Sequence, residues 1–359
     1  MAEPFTAQAR LACPAPAALL ARLCARLEPE SLRERTPASA RLENWCGEAT
    51  LSVDSAGYLA IEARSHREDR LSVLRMQLAE HVYAAMEGAA PAFAWEGHGA
   101  GNPALPYFRA LRVVGSHALT PLMRRVVLEG DAAHFASGGL HVRVLIPPAG
   151  RTPVWPYAAP DGRTIWPGGA DTLIPRVYTL REVDAAAGTL AIDVVQHPGG
   201  STPGADWARE ARAGDPVGLL GPGGAGLPPA RWYLLAGDET ALPVIARMVA
   251  TLPADAQAVV RLEVADAREC QPLPSPARLD VEWLTRDGTA PGMSDRLERA
   301  LRAVPLPADH AEVHVFAGCE QRTARALRRL MTRERGLAKS RCAIAAYWRA
   351  GHTDVDLAD

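Results

Sequence analysis

The periodicity of apolar residues in this 359-residue chain changes near residue 228, and this change constrains the fold more than any other feature. Before it, short segments alternate apolar and polar residues between Gly, Pro and Asp: FRALRVVGS, MRRVVLEG, HVRVLIPP, RVYTLREV and TLAIDVVQH. After it, valine-rich and leucine-rich runs alternate with helical patterns. Closely spaced short strands favour a β-barrel, and strand–helix alternation favours a doubly wound parallel sheet.

The first part of the chain predicts a separate small α+β domain. Leucines at helical spacing lie between residues 16 and 30, and an amphipathic helical pattern covers 67–86. Between them, residues 49–65 alternate around an Asp-Ser-Ala-Gly turn, which is typical of a hairpin. We therefore predict a multidomain α/β protein. The predicted parts are a small domain at 1–97, a linker at 98–106, a barrel at 107–228 and an α/β domain at 229–359.

Charge and cysteine spacing exclude several classes of protein. The net charge of −2 argues against nucleic-acid binding, which usually requires a basic excess. No run reaches the about 18 apolar residues of a membrane span, and the N-terminus has no signal-peptide pattern. The six cysteines are scattered without a Cys-x-x-Cys pair, so we expect free thiols, no metal site and a cytoplasmic location.

The segment PRVYTLR places Arg176, Tyr178 and Thr179 within four positions. They are consistent with ordinary strand residues. They are also consistent with three contacts to a flavin: a ring on the isoalloxazine, a hydroxyl at N5 and a guanidinium on the pyrophosphate. The downstream run HPGGSTPGADWARE favours the second interpretation, because a Gly-rich turn before a helix offers free N–H groups to an anion.

Two loops follow strands of the predicted parallel sheet. They comprise residues 237–243 and 318–321, at the carboxyl ends of strands, where ligands of such sheets bind. The first loop, AGDETALP, is not a GxGxxG motif and is weak evidence for a nucleotide without the barrel.

Taken together, these motifs resemble the siderophore-interacting proteins, FAD-dependent ferric-siderophore reductases of the ferredoxin-reductase superfamily. The resemblance covers about residues 107–352 and rests on the order of RVYTLR, GADWAREARAGDPVGLLGPGG, LLAGDETALPVI, FAGCEQRTARALRRL and AAYWRAGH. Residues 6–97 resemble a small domain of unknown function that occurs alone or fused to flavin reductases. The resemblance implies reduction of a ferric siderophore to Fe(II) by NADH or NADPH through FAD.

The resemblance also implies site residues. Tyr178 and Thr179 would be catalytic. The FAD-binding set is Arg176, Tyr178, Thr179, Val195, His197, Thr202, Gly204 and Ala205. Residues for NAD(P)H or the flavin face are Gly237, Asp238, Thr240, Ala241, Gly318, Cys319, Glu320, Tyr347 and Trp348. Basic residues for the siderophore are Lys339, Arg341 and Arg349.

Several positions allow other interpretations. Ala205 stands where the family has a serine, so one phosphate contact is lost. Tyr347 and Trp348 are also consistent with core packing, Cys319 with a buried inert thiol, and the basic residues with a solvated surface. Other acceptors, such as ferric chelates, quinones or flavins, and binding without turnover stay open. We expect a ferric siderophore as partner, no nucleic acid or membrane, and a monomer or weak dimer. Acidic residues after the second strand of the sheet, Glu263 and Asp266, weakly favour NADH.

Overall fold

The computed structural model describes residues 3–86, 92–197 and 202–352. The chain divides into two compact units. One contains Met1–Phe108 and Pro148–Leu173, and the other contains Arg109–Pro147 and Ile174–Asp359. The sequence-based boundaries at residues 97, 106 and 228 stay predictions, because the second unit contains both the predicted barrel and the predicted α/β domain.

The first unit is built on a six-stranded antiparallel sheet with the order β2-β3-β4-β5-β1-β6. The strands are β1 Phe5–Ala12, β2 Leu32–Arg35, β3 Ser39–Asn44, β4 Gly47–Val53, β5 Tyr58–Ser65 and β6 Trp95–Gly97. Two helices, α1 (Pro16–Arg26) and α2 (Glu68–Ala85), contribute leucines such as Leu20 and Leu74 to a core shared with alternate strand residues. The predicted hairpin over 49–65 is present as β4 and β5.

The same unit includes an excursion of the chain over residues 148–173. It contains a two-stranded ribbon of β10 (Tyr157–Ala158) and β11 (Thr164–Ile165). Trp95 Nε1 donates to the carbonyl of Asp161 at 2.8 Å, and the Tyr83 hydroxyl donates to the Asp161 carboxylate at 2.8 Å. These bonds attach the excursion to residues that precede the barrel in sequence.

The second unit begins with a closed six-stranded barrel with the order β12-β13-β8-β7-β14-β9. Its strands are β7 Phe108–Thr120, β8 Met123–Glu129, β9 His141–Ile146, β12 Ile174–Asp184, β13 Thr189–Val195 and β14 Pro216–Gly223. Helix α3 (Pro203–Glu210) packs Ala208 against the apolar barrel interior. The predicted barrel is therefore confirmed.

A five-stranded parallel sheet follows, with the order β17-β16-β15-β18-β19. Its strands are β15 Trp232–Gly237, β16 Gln257–Val264, β17 Arg278–Thr285, β18 Val313–Glu320 and β19 Cys342–Trp348. Helix α4 (Leu242–Ala250) packs on one face, and α5 (Arg296–Ala303) and α6 (Gln321–Arg329) pack on the other. The strand order reverses between β15 and β18, which creates the crevice where ligands of such sheets bind. The doubly wound sheet is thus confirmed.

Within the described ranges, no helix is both long and apolar enough to cross a membrane.

Candidate functional site

A cavity of about 770 Å³ lies within the second unit, and both the barrel and the parallel sheet line it. Tyr178, Thr179 and Val195 come from barrel strands, and Phe316 and Tyr347 come from β18 and β19. Small-molecule sites typically measure about 300–1,000 Å³ and are mostly apolar with a few polar groups. The cavity is therefore large enough for an extended cofactor.

The barrel wall of the cavity carries the two residues predicted to be catalytic. Thr179 is 4% exposed, and Tyr178 packs at the edge of the barrel core. A Cβ added at Gly204 would lie 3.0 Å from Cζ of Tyr178 and closer still to its hydroxyl. Burial raises the pKa of Tyr178 to about 12. The hydroxyl of Tyr178 therefore keeps its proton at neutral pH. The ring packs against the start of α3 at Gly204.

Arg176 lies on the same strand, two residues before Tyr178. Its Nη1 donates to the carbonyl of Pro175 at 2.7 Å, and Arg176 is not among the residues that line the cavity. The assignment of Arg176 to the pyrophosphate of FAD stays a prediction.

The start of α3 provides the second predicted element of the flavin site. Thr202 and His197 line the cavity, and Thr202 is the N-cap of α3 without a side-chain capping bond. Gly204 and Ala205 are buried beneath it. The first N–H groups of a helix lack intrahelical partners and attract anions. Most of the Gly-rich turn, residues 198–201, lies outside the described residues.

The carboxyl ends of β15 and β18 approach each other closely at Gly237 and Gly318. A Cβ at Gly237 would lie 2.5 Å from the Gly318 carbonyl and 2.6 Å from Cβ of Ala241. Asp238 follows and accepts bonds from the backbone N–H of Thr240 at 2.9 Å and from Trp348 Nε1 at 2.8 Å. Burial raises the pKa of the Asp238 carboxyl. Of the predicted nucleotide contacts here, Thr240 reaches the cavity, and Asp238 holds the loop together.

Other carboxylates near this edge are also engaged inside the domain. Glu239 forms a bidentate pair with Arg286 at 2.6 and 2.8 Å, and both side chains are buried. Glu263 lies 3.8 Å from the same guanidinium. Asp266 accepts from the backbone and the side chain of Arg268. The weak preference for NADH that Glu263 and Asp266 indicate stays a prediction.

Cys319 and Glu320 end β18 without lining the cavity. Cys319 is 1% exposed and packs with α6 on the opposite face of the sheet. Burial raises the pKa of its thiol, so the structure favours the inert interpretation. Glu320 caps α6 by accepting from the backbone N–H groups of Arg322 at 2.5 Å and Thr323 at 3.3 Å.

Tyr347 brings the last strand to the cavity through a contact that the sequence did not indicate. Its hydroxyl hydrogen-bonds Nε2 of His141 on β9 at 3.0 Å, and the two rings meet edge to face. The pairing of β18 with β19 shifts register after Cys319, so Glu320 opposes Trp348 and skips Tyr347. Burial lowers the pKa of His141. No local motif marks His141, because its partner belongs to a distant strand.

The residues predicted to bind the siderophore lie around one end of β19. Lys339 and Arg341 belong to a short 3₁₀ turn, and Ser340 between them lines the cavity. Arg349 follows Trp348 and is exposed. Their role toward a substrate stays a prediction.

The lining fits FAD. The cavity combines an aromatic ring and a buried hydroxyl on the barrel with an uncapped helix start. Gly204 leaves room for the Tyr178 ring where a Cβ would intrude. These groups suit, in turn, a planar heterocycle, its polar edge and an anionic linker.

Two family models match this unit. Residues 112–226 match the model described as siderophore-interacting FAD-binding domain. Residues 230–351 match the model described as siderophore-interacting protein. The two matches coincide with the barrel and the parallel-sheet region.

Individual proteins give the same result. The chain is 30% identical over 254 residues to the ferric vibriobactin reductase ViuB of Vibrio cholerae, covering 69% of this chain and 92% of that protein. Its structure is similar to a siderophore utilization protein from T. fusca, with 39% identity, 70% and 96% coverage and a TM-score of 0.61. SipS, the siderophore-interacting protein of Aeromonas hydrophila, shares 28% identity, with 68% and 93% coverage and a TM-score of 0.58.

Proposed function

Because this chain belongs to the siderophore-interacting protein family, we propose that it is an FAD-dependent oxidoreductase that reduces ferric siderophores with electrons from NAD(P)H. The observation that carries this proposal is the cavity between barrel and sheet, with Tyr178 and Thr179 on one wall and Tyr347 on another. The similarity to a ferric vibriobactin reductase over most of that protein's length supports a siderophore as acceptor.

The chain's own residues would hold the cofactor in three places. The ring of Tyr178 provides a flat apolar surface, and the buried hydroxyl of Thr179 provides a hydrogen bond to the flavin edge. Thr202 and the start of α3 provide donors for the pyrophosphate, together with Arg176. Tyr347, held by His141, lines the cavity on the side of the sheet.

When bound, FAD accepts two electrons as hydride and releases them one at a time. One NAD(P)H therefore reduces two ferric ions, yielding NAD(P)⁺, a proton and two ferrous ions. Siderophores bind hard Fe(III) through oxygen donors and hold Fe(II) much more weakly, so reduction releases the metal. The protein needs no iron ligands for this reaction. We also propose that it acts in the cytoplasm.

Basic residues near the cavity would attract the anionic ferric complex. Lys339 and Arg349 are exposed, and Arg341 is half-buried. Exposed charges raise the local concentration of an oppositely charged substrate and are screened over about 8–10 Å at physiological salt. We therefore assign these residues to substrate approach rather than to electron transfer.

Anaerobic stopped-flow spectroscopy tests the proposed function. Adding NAD(P)H to the FAD-loaded protein should bleach the flavin, and adding a ferric siderophore with a ferrous chelator should reoxidise it as the ferrous complex forms. Lys339→Ala with Arg341→Ala should slow the second phase only, and less so at high salt. The matched control, Arg296→Ala with Arg299→Ala on α5, removes equal charge and should leave both phases unchanged.

Two outcomes would contradict the proposal. Bleaching by reduced ferredoxin alone would exclude NAD(P)H as donor. Bleaching by NAD(P)H without reoxidation by any ferric siderophore would make the protein a reductase of another acceptor, such as a quinone or a free flavin.

A further inference from the structure

A buried histidine lines the cavity without hydrogen-bond partners. His314, the second residue of β18, is 2% exposed and lies in the cavity wall. Among the described residues, neither Nδ1 nor Nε2 of this ring has a hydrogen-bond partner. Buried polar side chains are almost always paired, so an orphaned ring at a cavity wall indicates a group that a ligand completes.

The surroundings of His314 fix its ring in place. Tyr233 is its register partner on β15, and the two rings meet edge to face at 6.5 Å. The Tyr233 hydroxyl donates to Pro228, whose loop also lines the cavity. The imidazole is therefore held at the wall by packing, while its two nitrogens are left for another partner.

His314 lies away from the edge where the parallel sheet binds nucleotides. Gly318 marks that edge, and His314 lies four positions earlier on the strand, a distance of about 13 Å. Nicotinamide nucleotides are expected at the carboxyl ends of the strands. A ligand group that reaches His314 would thus belong to a molecule extending along the cavity toward the amino ends of β15 and β18.

The ring is suited to a neutral polar group. Burial and the nearby charge of Arg341 lower the pKa of His314, so the imidazole is neutral near pH 7. A neutral imidazole has one donor and one acceptor nitrogen. Hydroxyl groups of a ribose and the edge of an adenine offer both complements, whereas a phosphate only accepts.

We propose that His314 hydrogen-bonds the adenosine part of FAD and thereby selects FAD over FMN. This inference rests on the proposed function, since it places the far end of the same cofactor whose flavin lies at Tyr178 and Thr179. His314 is a binding residue in this role and takes no part in electron transfer.

Isothermal titration with FAD and with FMN tests the assignment in the full-length protein. His314→Phe keeps an aromatic ring beside Tyr233 and removes both nitrogens, so it should fold with an unchanged or higher unfolding midpoint. It should bind FAD about 3- to 10-fold more weakly, the effect of one lost hydrogen bond. FMN, which lacks the adenosine part, should bind equally to both proteins. His314→Gln, which keeps a donor and an acceptor, should recover part of the FAD affinity.

The possible results separate the inference from the proposed function. Unchanged FAD affinity in a folded His314→Phe protein would show that the ring only packs against Tyr233, and the inference alone would fail. Equal weakening of FAD and FMN would place His314 at the flavin rather than the adenosine. Weakening confined to NADH or NADPH, titrated into the FAD-loaded protein, would assign the ring to the reductant. A wild-type protein that binds neither flavin would overturn the proposed function itself.

Discussion

The contact between Gly204 and Tyr178 shows how one missing side chain shapes the candidate flavin site. A Cβ at position 204 would lie 3.0 Å from Cζ of Tyr178, which is a tight contact, and closer to its hydroxyl oxygen than real Cβ atoms come to a neighbour. The ring packs against the edge of the barrel core and also lines the cavity. Glycine at this position therefore lets the start of the helix pack directly against the ring.

We expect Gly204→Ala to displace Tyr178, lowering stability by about 1–3 kcal/mol as overpacking does and weakening FAD binding. Adding Tyr178→Phe should restore part of the stability, because the hydroxyl is the nearest atom. Gly226→Ala is the matched control, since this cavity-lining glycine has open space around its Cβ position. Thermal unfolding and FAD titration of the four proteins check the prediction. Equal losses in Gly204→Ala and Gly226→Ala would contradict it.

The pair formed by His141 and Tyr347 predicts a pH dependence of stability. Burial, and to a lesser degree the charge of Arg247, lower the folded-state pKa of His141, whereas an unfolded histidine titrates near about pH 6.5. The unfolded state therefore binds more protons below that pH. The contribution of His141 is complete above about pH 6.5 and is lost as the pH falls toward the lower folded-state value.

His141→Gln should lose less stability than wild type between about pH 8 and about pH 5.5. Urea unfolding at the two pH values, followed by tryptophan fluorescence, measures the difference. The same pH dependence in both proteins would mean that His141 does not contribute to it.

Glu320, at the start of helix α6, has a structural role that its position in the sequence motif did not predict. Glu320 was predicted to bind nucleotide, and it follows Gly318 at the expected edge. Its carboxylate nevertheless accepts from the first N–H groups of the helix and, at 3.4 Å, from the backbone N–H of Ala350. The side chain thus satisfies the helix start and connects it to the chain after β19.

We expect Glu320→Ala to lower stability by about 0.5–2 kcal/mol, the usual cost of a lost N-cap, with FAD and NAD(P)H affinities within about twofold of wild type. Glu320→Asp, which keeps a capping carboxylate, is the control and should lose less. Differential scanning calorimetry and titration give the two readouts. A large fall in NAD(P)H affinity at unchanged stability would instead support the nucleotide-binding role.

Each of the two compact units consists of two separate stretches of the chain. This limits where the chain can be cut without disrupting a unit. Removing the first 97 residues, as the sequence-based boundary suggests, would leave residues 148–173 without their partners. Those partners include Trp95 and Tyr83, which hydrogen-bond Asp161. Ile146 of β9 and Ile174 of β12 are direct antiparallel neighbours, so a short turn suffices to rejoin the barrel.

A chain of residues 109–359 with 148–173 replaced by a short Gly-rich turn should fold, bind FAD and be reduced by NAD(P)H. A simple truncation at residue 108 should be less soluble, because residues 148–173 would lose their partners within the first unit and expose their buried groups. Gel filtration and FAD titration of both chains check this. If the rejoined chain folds but does not bind FAD, the first unit contributes to the site.

Local pattern determined the order of barrel and parallel sheet and the identity of most elements. Period-two alternation and buried runs depend on neighbours within a few positions, so residues such as Arg176, Tyr178 and Thr179 were already placed on a strand. Gly204 in the first turn of α3 and Gly237 at the end of β15 mark close approaches, and both belong to short motifs that were recognised in the sequence.

Tertiary packing decided which side chains meet. His141 and Tyr347 are 206 residues apart, and Asp238 and Trp348 are 110 apart. Neither pair leaves a local signature, because each depends on where β19 lies beside β18. Sequence alone also could not distinguish acidic residues that cap a helix or form an ion pair within the domain from acidic residues that bind a nucleotide, because that difference depends on tertiary contacts. Tertiary packing also explains His314, whose isolation from polar neighbours results from burial between strands and is invisible in the order of residues.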